Sequence, residues 1–101
     1  MTGTQPVAII TGAGRAFSAG GDLERMEECI ADPREFEREA ADAKRIVFAL
    51  LDIEKPVIAR VNGHAVGLGA TIALLCDVIF AADSARIGDP HVKVGLVAGD
   101  G

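Results

Sequence analysis

The sequence predicts an α/β fold of parallel strands joined by helical crossovers. Three observations carry this expectation. Short β-branched apolar runs occur at 7–11, 57–61 and 78–82; a long amphipathic helix separates the first two; and glycine-rich turns follow both of those strands. Strands that alternate with helices return to their sheet by crossovers that cover its faces.

Val7 to Thr11 reads as a strand bounded by Pro6 and Gly12. The segment from Gly12 to Gly21 is a loop, and Asp22 is placed to N-cap a short helix through Ile30. Asp32-Pro33-Arg34-Glu35 is a stronger start signal. It supplies an N-cap, proline at the first helical position and a glutamate at the third, the pattern of a capping box. From there Phe36, Ala40, Ala43, Val47 and Leu50 recur on one helical face, while Glu37, Arg38, Asp42 and Arg45 form the solvated side.

Pro56 ends that connection, and Val57 to Val61 forms the next strand. A glycine-punctuated turn from Asn62 to Leu68 leads into an apolar helix expected from Gly69 to Cys76. Asp77 ends that helix and organises the turn into a strand at Val78 to Ala82. A brief edge strand is expected at Ala85 to Gly88, before the loop Asp89-Pro90-His91. A strand followed by such a turn and helix leaves backbone N–H groups free at the turn, and free N–H groups bind oxyanions. Two turns of this kind, after Thr11 and after Val61, can build an oxyanion hole from main chain alone if they converge.

Composition narrows the function classes. The 101 residues suffice for one small domain, and half of them are hydrophobic. A net charge of −5 with four aromatic residues argues against a nucleic-acid binder, which needs a basic face. Cys29 and Cys76 stand alone, without a CxxC or a neighbouring histidine pair, so reduced thiols in a cytoplasmic protein are expected, with no disulfide and no metal. No secretory signal is legible, and the apolar run from Ala65 to Ala82 is interrupted by Gly67, Gly69 and Asp77, which argues against a membrane span. The chain opens almost directly on a strand and stops in a glycine-rich loop, so a piece of a larger protein is expected, poorly soluble alone because strand edges and an apolar face stay uncovered.

Gly12-Ala13-Gly14 after a strand invites a dinucleotide-binding reading, but Arg15-Ala16-Phe17 follows and the third glycine of GxGxxG is absent. No acidic residue closes a second strand about twenty positions on, and no Gly-Lys-Ser/Thr occurs, so neither a Rossmann site nor a P-loop is present.

Thr11-Gly12-Ala13-Gly14-Arg15-Ala16-Phe17-Ser18-Ala19-Gly20-Gly21-Asp22-Leu23 resembles the first signature of the enoyl-CoA hydratase/isomerase (crotonase) superfamily. Lys55-Pro56-Val57-Ile58-Ala59 with Val61-Asn62-Gly63-His64-Ala65-Val66-Gly67-Leu68-Gly69 resembles the second, and Cys76-Asp77-Val78 and Gly95-Leu96-Val97-Ala98-Gly99-Asp100-Gly101 also fit. The resemblance implies a crotonase-like fold, a repeated ββα superhelix incomplete at both ends. Residues 1–101 would then be part of a single core domain whose first strands and C-terminal helical region lie elsewhere. It further implies an acyl-CoA substrate, no cofactor beyond the coenzyme A of that substrate, and a homotrimer or dimer of trimers, with no nucleic-acid or membrane partner.

By the same resemblance the thioester oxygen sits between the backbone N–H groups of Gly21 and Leu68, the second a position where the family more often has glycine. Ala19, Gly20, Gly21, Asp22, Leu23 and Glu24 would line the CoA groove, and Arg15 is a candidate contact for CoA phosphates. Asp22 also has its local role as an N-cap. Family hydratases use two glutamates to add water; the corresponding positions here are Thr71 and His91. Thr71 has no useful pKa and is an auxiliary that orients water or substrate. His91 ordinarily titrates near neutrality, which suits an acid/base. Asp100, nine residues on, is a candidate to orient it. That pair resembles the His/Asp arrangement of the superfamily's β-diketone hydrolases, which cleave a carbon–carbon bond in a retro-Claisen reaction; a catalytically silent acyl-CoA-binding or structural member is a further alternative. His64, inside the second turn, is expected to pack or line the pocket.

Overall fold

The computed structural model describes residues 6–90 together with 93 and 95. In chain order the elements are β1 (Ala8–Thr11), α1 (Leu23–Ala31), α2 (Pro33–Leu51), β2 (Val57–Val61), β3 (Ala65–Val66), α3 (Leu68–Leu74), β4 (Val78–Ala81) and β5 (Ile87–Gly88). β1, β2 and β4 form a parallel sheet with β2 in the centre, in register Ala8 to Val57 and Ile58 to Val78. β3 and β5 pair in parallel as a second, smaller sheet, and Ser18 bridges the free side of β3 at Ala65.

The two sheets make the repeat visible. Each turn of the chain lays one strand in the large sheet, one short extended segment in the small sheet, and then a helix. β1, Ser18 and α1–α2 make the first turn; β2, β3 and α3 the second; β4 and β5 begin the third. This is the ββα winding expected from the sequence.

Local chemistry accounts for the helix starts. The Asp22 carboxylate accepts from Glu24 N at 2.9 Å, and the Asp32 carboxylate accepts from Arg34 N at 3.0 Å with Pro33 at the first helical position. The expected capping box stops halfway. Glu35 turns to Arg25 of α1, which donates to it at 2.6 Å and also reaches Glu28 at 2.9 Å and Glu39 at 3.3 Å. A guanidinium with a planar fork of donors competes better for that carboxylate than one backbone N–H does. These three carboxylates, Glu35 first, hold the Arg25 guanidinium firmly protonated.

The core lies on β2 and around α3. Val57, Ala59 and Val61 face inward from alternate positions of β2 and join Ala65, Ala73 and Cys76 in one buried cluster. Central strands with neighbours on both sides bury one whole face in this way. Asp77 fixes the start of β2 as well as the end of α3: its carboxylate accepts from Val57 N at 2.7 Å and its own N–H donates to Val57 O at 2.8 Å.

Three expectations need correction. The stretch after β2 contains a strand, β3, where only a turn was expected. Two residues carry no periodicity, and the pairing that makes them a strand comes from Ser18 and β5, far away in sequence. The apolar face of α2, by contrast, stays uncovered among the described residues, the kind of open apolar face expected from the sequence: none of its residues is buried, and Phe36 and Phe48 are more than half exposed. Its described neighbours are α1 and, at few points, α3. Finally, α3 runs from Leu68 to Leu74, not Gly69 to Cys76, and the late edge strand shrinks to Ile87–Gly88. β4 is an edge strand, and all four of its residues count as exposed among the described residues.

Candidate active site

The first turn is fixed by side chains from the second. Asn62, directly after β2, accepts from Gly12 N at 2.9 Å through Oδ1, and its Nδ2 donates to Gly14 O at 3.0 Å and Ala16 O at 3.2 Å. One amide thereby closes the whole Gly12–Ala16 loop. The chain is next held by His64, whose carbonyl accepts from Phe17 N at 3.0 Å and Ser18 N at 3.1 Å, and by Ser18 O, which accepts from Val66 N at 3.0 Å. Ser18 Oγ then accepts from Gly20 N at 3.2 Å.

Gly20 brings the two turns into contact. Its φ is +82°, and a β-carbon there would stand 2.7 Å from Val66 O and 3.6 Å from Leu68 N. Only glycine meets both demands. On the other side, Gly67 precedes α3 with φ 57° and ψ −125°, and its N–H donates to Gly88 O of β5 at 2.9 Å. Leu68 is the first residue of α3, so its N–H has no partner within the helix. Among the described residues neither Leu68 N–H nor Gly21 N–H finds an acceptor. Gly69 lies against Ser18, so close helix packing and two free donors hold at once.

A cleft of about 330 Å³ opens beside this point. Leu74 and Leu75 of α3 and Ile87 of β5 form apolar walls; Thr71 and Asp89 bring the polar groups. Thr71 lies three residues along α3 from Leu68, on the same helical face.

The remaining candidates divide as follows. Ala19, Gly21, Asp22 and Glu24 are exposed around the start of α1, which Leu23 opens, and Asp22 performs its capping role. Arg15 is exposed in the first loop. His64 is exposed and does not line the cleft; its contribution is the carbonyl. His91 and Asp100 lie outside the described residues. Cys29 and Cys76 are buried free thiols, and burial, with the charge of Asp77 second, pushes the Cys76 thiol up. No group of three or more potential metal ligands occurs among the described residues.

Sequence reasoning passed over Asn62. An Asn-Gly pair after a strand signals a turn, and nothing in it shows that the side chain reaches residues 46 to 50 positions away. Replacing Asn62 with alanine removes the partner of Gly12 N, Gly14 O and Ala16 O; the Gly14 carbonyl is exposed and finds water, while the part-buried Gly12 N–H and Ala16 carbonyl lose theirs, so a loss of about 1–3 kcal/mol is expected. Denaturant unfolding of the full-length protein measures it.

A family model described as "Enoyl-CoA hydratase/isomerase" matches residues 3–101. The chain belongs to the enoyl-CoA hydratase/isomerase family. A 2,3-dehydroadipyl-CoA hydratase of Escherichia coli is 41% identical over 96 residues, covering 94% of this chain and 36% of that protein. A crotonyl-CoA hydratase of Syntrophomonas wolfei is 42% identical over 95 residues, covering 92% and 35%. The crystal structure of an enoyl-CoA hydratase/isomerase from Mycobacterium paratuberculosis superposes with a TM-score of 0.88 at 48% identity, covering 94% of this chain and 38% of that one. This member of the enoyl-CoA hydratase/isomerase family thus spans about a third of the length of such relatives. Its fold is the crotonase fold, and no helix among the described residues is long and apolar enough to cross a membrane.

Proposed function

We propose that the protein containing this chain acts on an acyl-CoA thioester, whose carbonyl oxygen accepts hydrogen bonds from Gly21 N–H and Leu68 N–H. The observation that carries this is the contact of the two turns at Gly20, beside two backbone donors with no acceptor among the described residues. As the carbonyl becomes an enolate, negative charge builds on that oxygen. Donors already fixed by Asn62, Ser18 and β5 meet it without reorganising, and each is worth about 3–4 kcal/mol in the transition state. The names of the relatives, hydratases of acyl-CoA substrates, support addition or removal of water as the overall reaction.

His91 is the acid/base in this reading, with Asp100 holding its tautomer and Thr71 orienting water or substrate. The imidazole exchanges a proton with the carbon beside the carbonyl, the step that makes or consumes the enolate. The homotrimer or dimer of trimers implied by the family resemblance, and the cytoplasmic setting expected from the isolated cysteines, belong to the same proposal. Hydration of crotonyl-CoA by the full-length protein is the test. His91→Ala is expected to lower kcat by about 10²–10⁴-fold. Hydration unaffected by that change contradicts the role of His91.

The spacing of His91 and Asp100 in the sequence also suggests a second reading, cleavage of a cyclic β-diketone without CoA. Tight binding of an acyl-CoA excludes it; turnover of a β-diketone with no affinity for CoA establishes it in place of the first.

A further inference from the structure

Adding water to a conjugated thioester requires two proton transfers: one group takes a proton from water, another gives one to the carbon beside the carbonyl. The reading above supplies the second group in His91. Thr71 cannot be the first, because a hydroxyl of ordinary pKa is no base near neutrality. Of the described residues that line the cleft, Asp89 alone is ionisable.

The backbone holds Asp89 firmly in relation to the oxyanion donors. The residue before it, Gly88, accepts the Gly67 N–H at 2.9 Å. The residue after it, Pro90, lies on the side of the same glycine, its Cδ 3.8 Å from where a β-carbon on Gly67 would be. Asp89 is therefore tied through Gly88 to the residue that precedes Leu68, with Pro90 beside the same glycine. It lines the same cleft as Thr71, between the apolar walls of Leu74, Leu75 and Ile87, and it remains open to solvent from which water enters.

We infer that Asp89 is a further catalytic residue, the base that deprotonates the water held with Thr71 in this cleft. This rests on the acyl-thioester reading. The Asp89 carboxylate takes one proton from water as the water oxygen bonds to the β-carbon. The carbon–carbon π pair moves to the bond beside the carbonyl, and the carbonyl pair moves to the oxygen facing Gly21 and Leu68. The His91 imidazolium then protonates the α-carbon and the carbonyl re-forms. Asp89 loses its proton and His91 regains one through solvent, so the sum is addition of one water.

Two measurements on the full-length protein separate the groups: hydration of crotonyl-CoA, and exchange of the α-hydrogens of butyryl-CoA in D₂O, which needs no water activation. Asp89→Asn is expected to lower hydration by about 100-fold or more while α-exchange and butyryl-CoA affinity stay within about threefold. Asp89→Glu is expected to restore part of the hydration. Hydration within about threefold of wild type in Asp89→Asn overturns the inference, as does a parallel loss of hydration and exchange. Wild type that exchanges but does not hydrate overturns it while leaving the thioester reading intact. Wild type that neither binds butyryl-CoA nor exchanges removes both.

Discussion

Replacing Leu68 with proline is expected to lower turnover of the acyl thioester by about 10²–10³-fold, the usual consequence of deleting one oxyanion donor. The substitution removes the N–H and exchanges the half-buried isobutyl side chain for a pyrrolidine ring. Leu68 is the first residue of α3, where proline is well tolerated because its fixed φ suits a helix and its missing N–H has no helical partner to lose. Gly67 lies outside the α region that a following proline disfavours. Thermal stability is therefore expected to change by only a few degrees, on the order of 1 kcal/mol. Leu68→Ala is the control: it loses the half-buried side chain and keeps the N–H, so it is expected to retain most of the turnover. Proline and alanine variants of equal activity would contradict the role of this donor.

Gly20→Ala acts on stability and turnover together. Alanine at φ +82° costs about 1–2 kcal/mol from backbone strain alone. Its β-carbon would also stand 2.7 Å from Val66 O, a backbone atom already fixed in β3, so the turns must move apart. Displacing Gly21 by even about 1 Å from its position relative to Leu68 is enough to cost about 100-fold in rate. Gly14→Ala separates the causes: φ is +86° there, and nothing lies within 4 Å of the added carbon. That variant should show the strain in denaturant unfolding and near-normal kcat. A Gly20→Ala protein with the kcat of Gly14→Ala would show that the contact between the turns does not matter to the chemistry.

What the sequence disclosed and what it concealed follow from the range of the interactions involved. The strands of the large sheet were legible because β-branched apolar runs favour extended backbone locally, and the helix starts because Asp22 and Asp32 cap residues two positions away. The two glycine-rich turns were legible one by one. Their contact was not: it depends on Ser18 pairing with Ala65 and on Asn62 reaching back to Gly12, which no local pattern encodes. β3 was missed for the same reason, since two residues become a strand only between partners supplied from elsewhere. The stripe of Phe36, Ala40 and Ala43 on α2 correctly signalled a helix, because periodicity reports the helix and not what covers it. Glu35 fitted a capping box and went to Arg25, a competition invisible in a window of four residues.

The family resemblance located Thr71 and His91 where hydratases carry glutamates, and the cleft beside Thr71 adds Asp89 to the same wall. Had the pocket been read from sequence spacing alone, Asp89 would have stayed a turn residue before a proline.

If Gly21 N–H and Leu68 N–H together bind the thioester oxygen, the carbonyl stretch of a bound thioester registers both donors. Butyryl-CoA labelled with ¹³C at the carbonyl gives an isotope-edited infrared band on the full-length protein. Two fixed donors are expected to move that band to lower frequency than in water, and Leu68→Pro to return part of the shift while butyryl-CoA remains bound. A bound thioester whose band coincides with that of the free compound, and is unchanged by Leu68→Pro, would contradict the account.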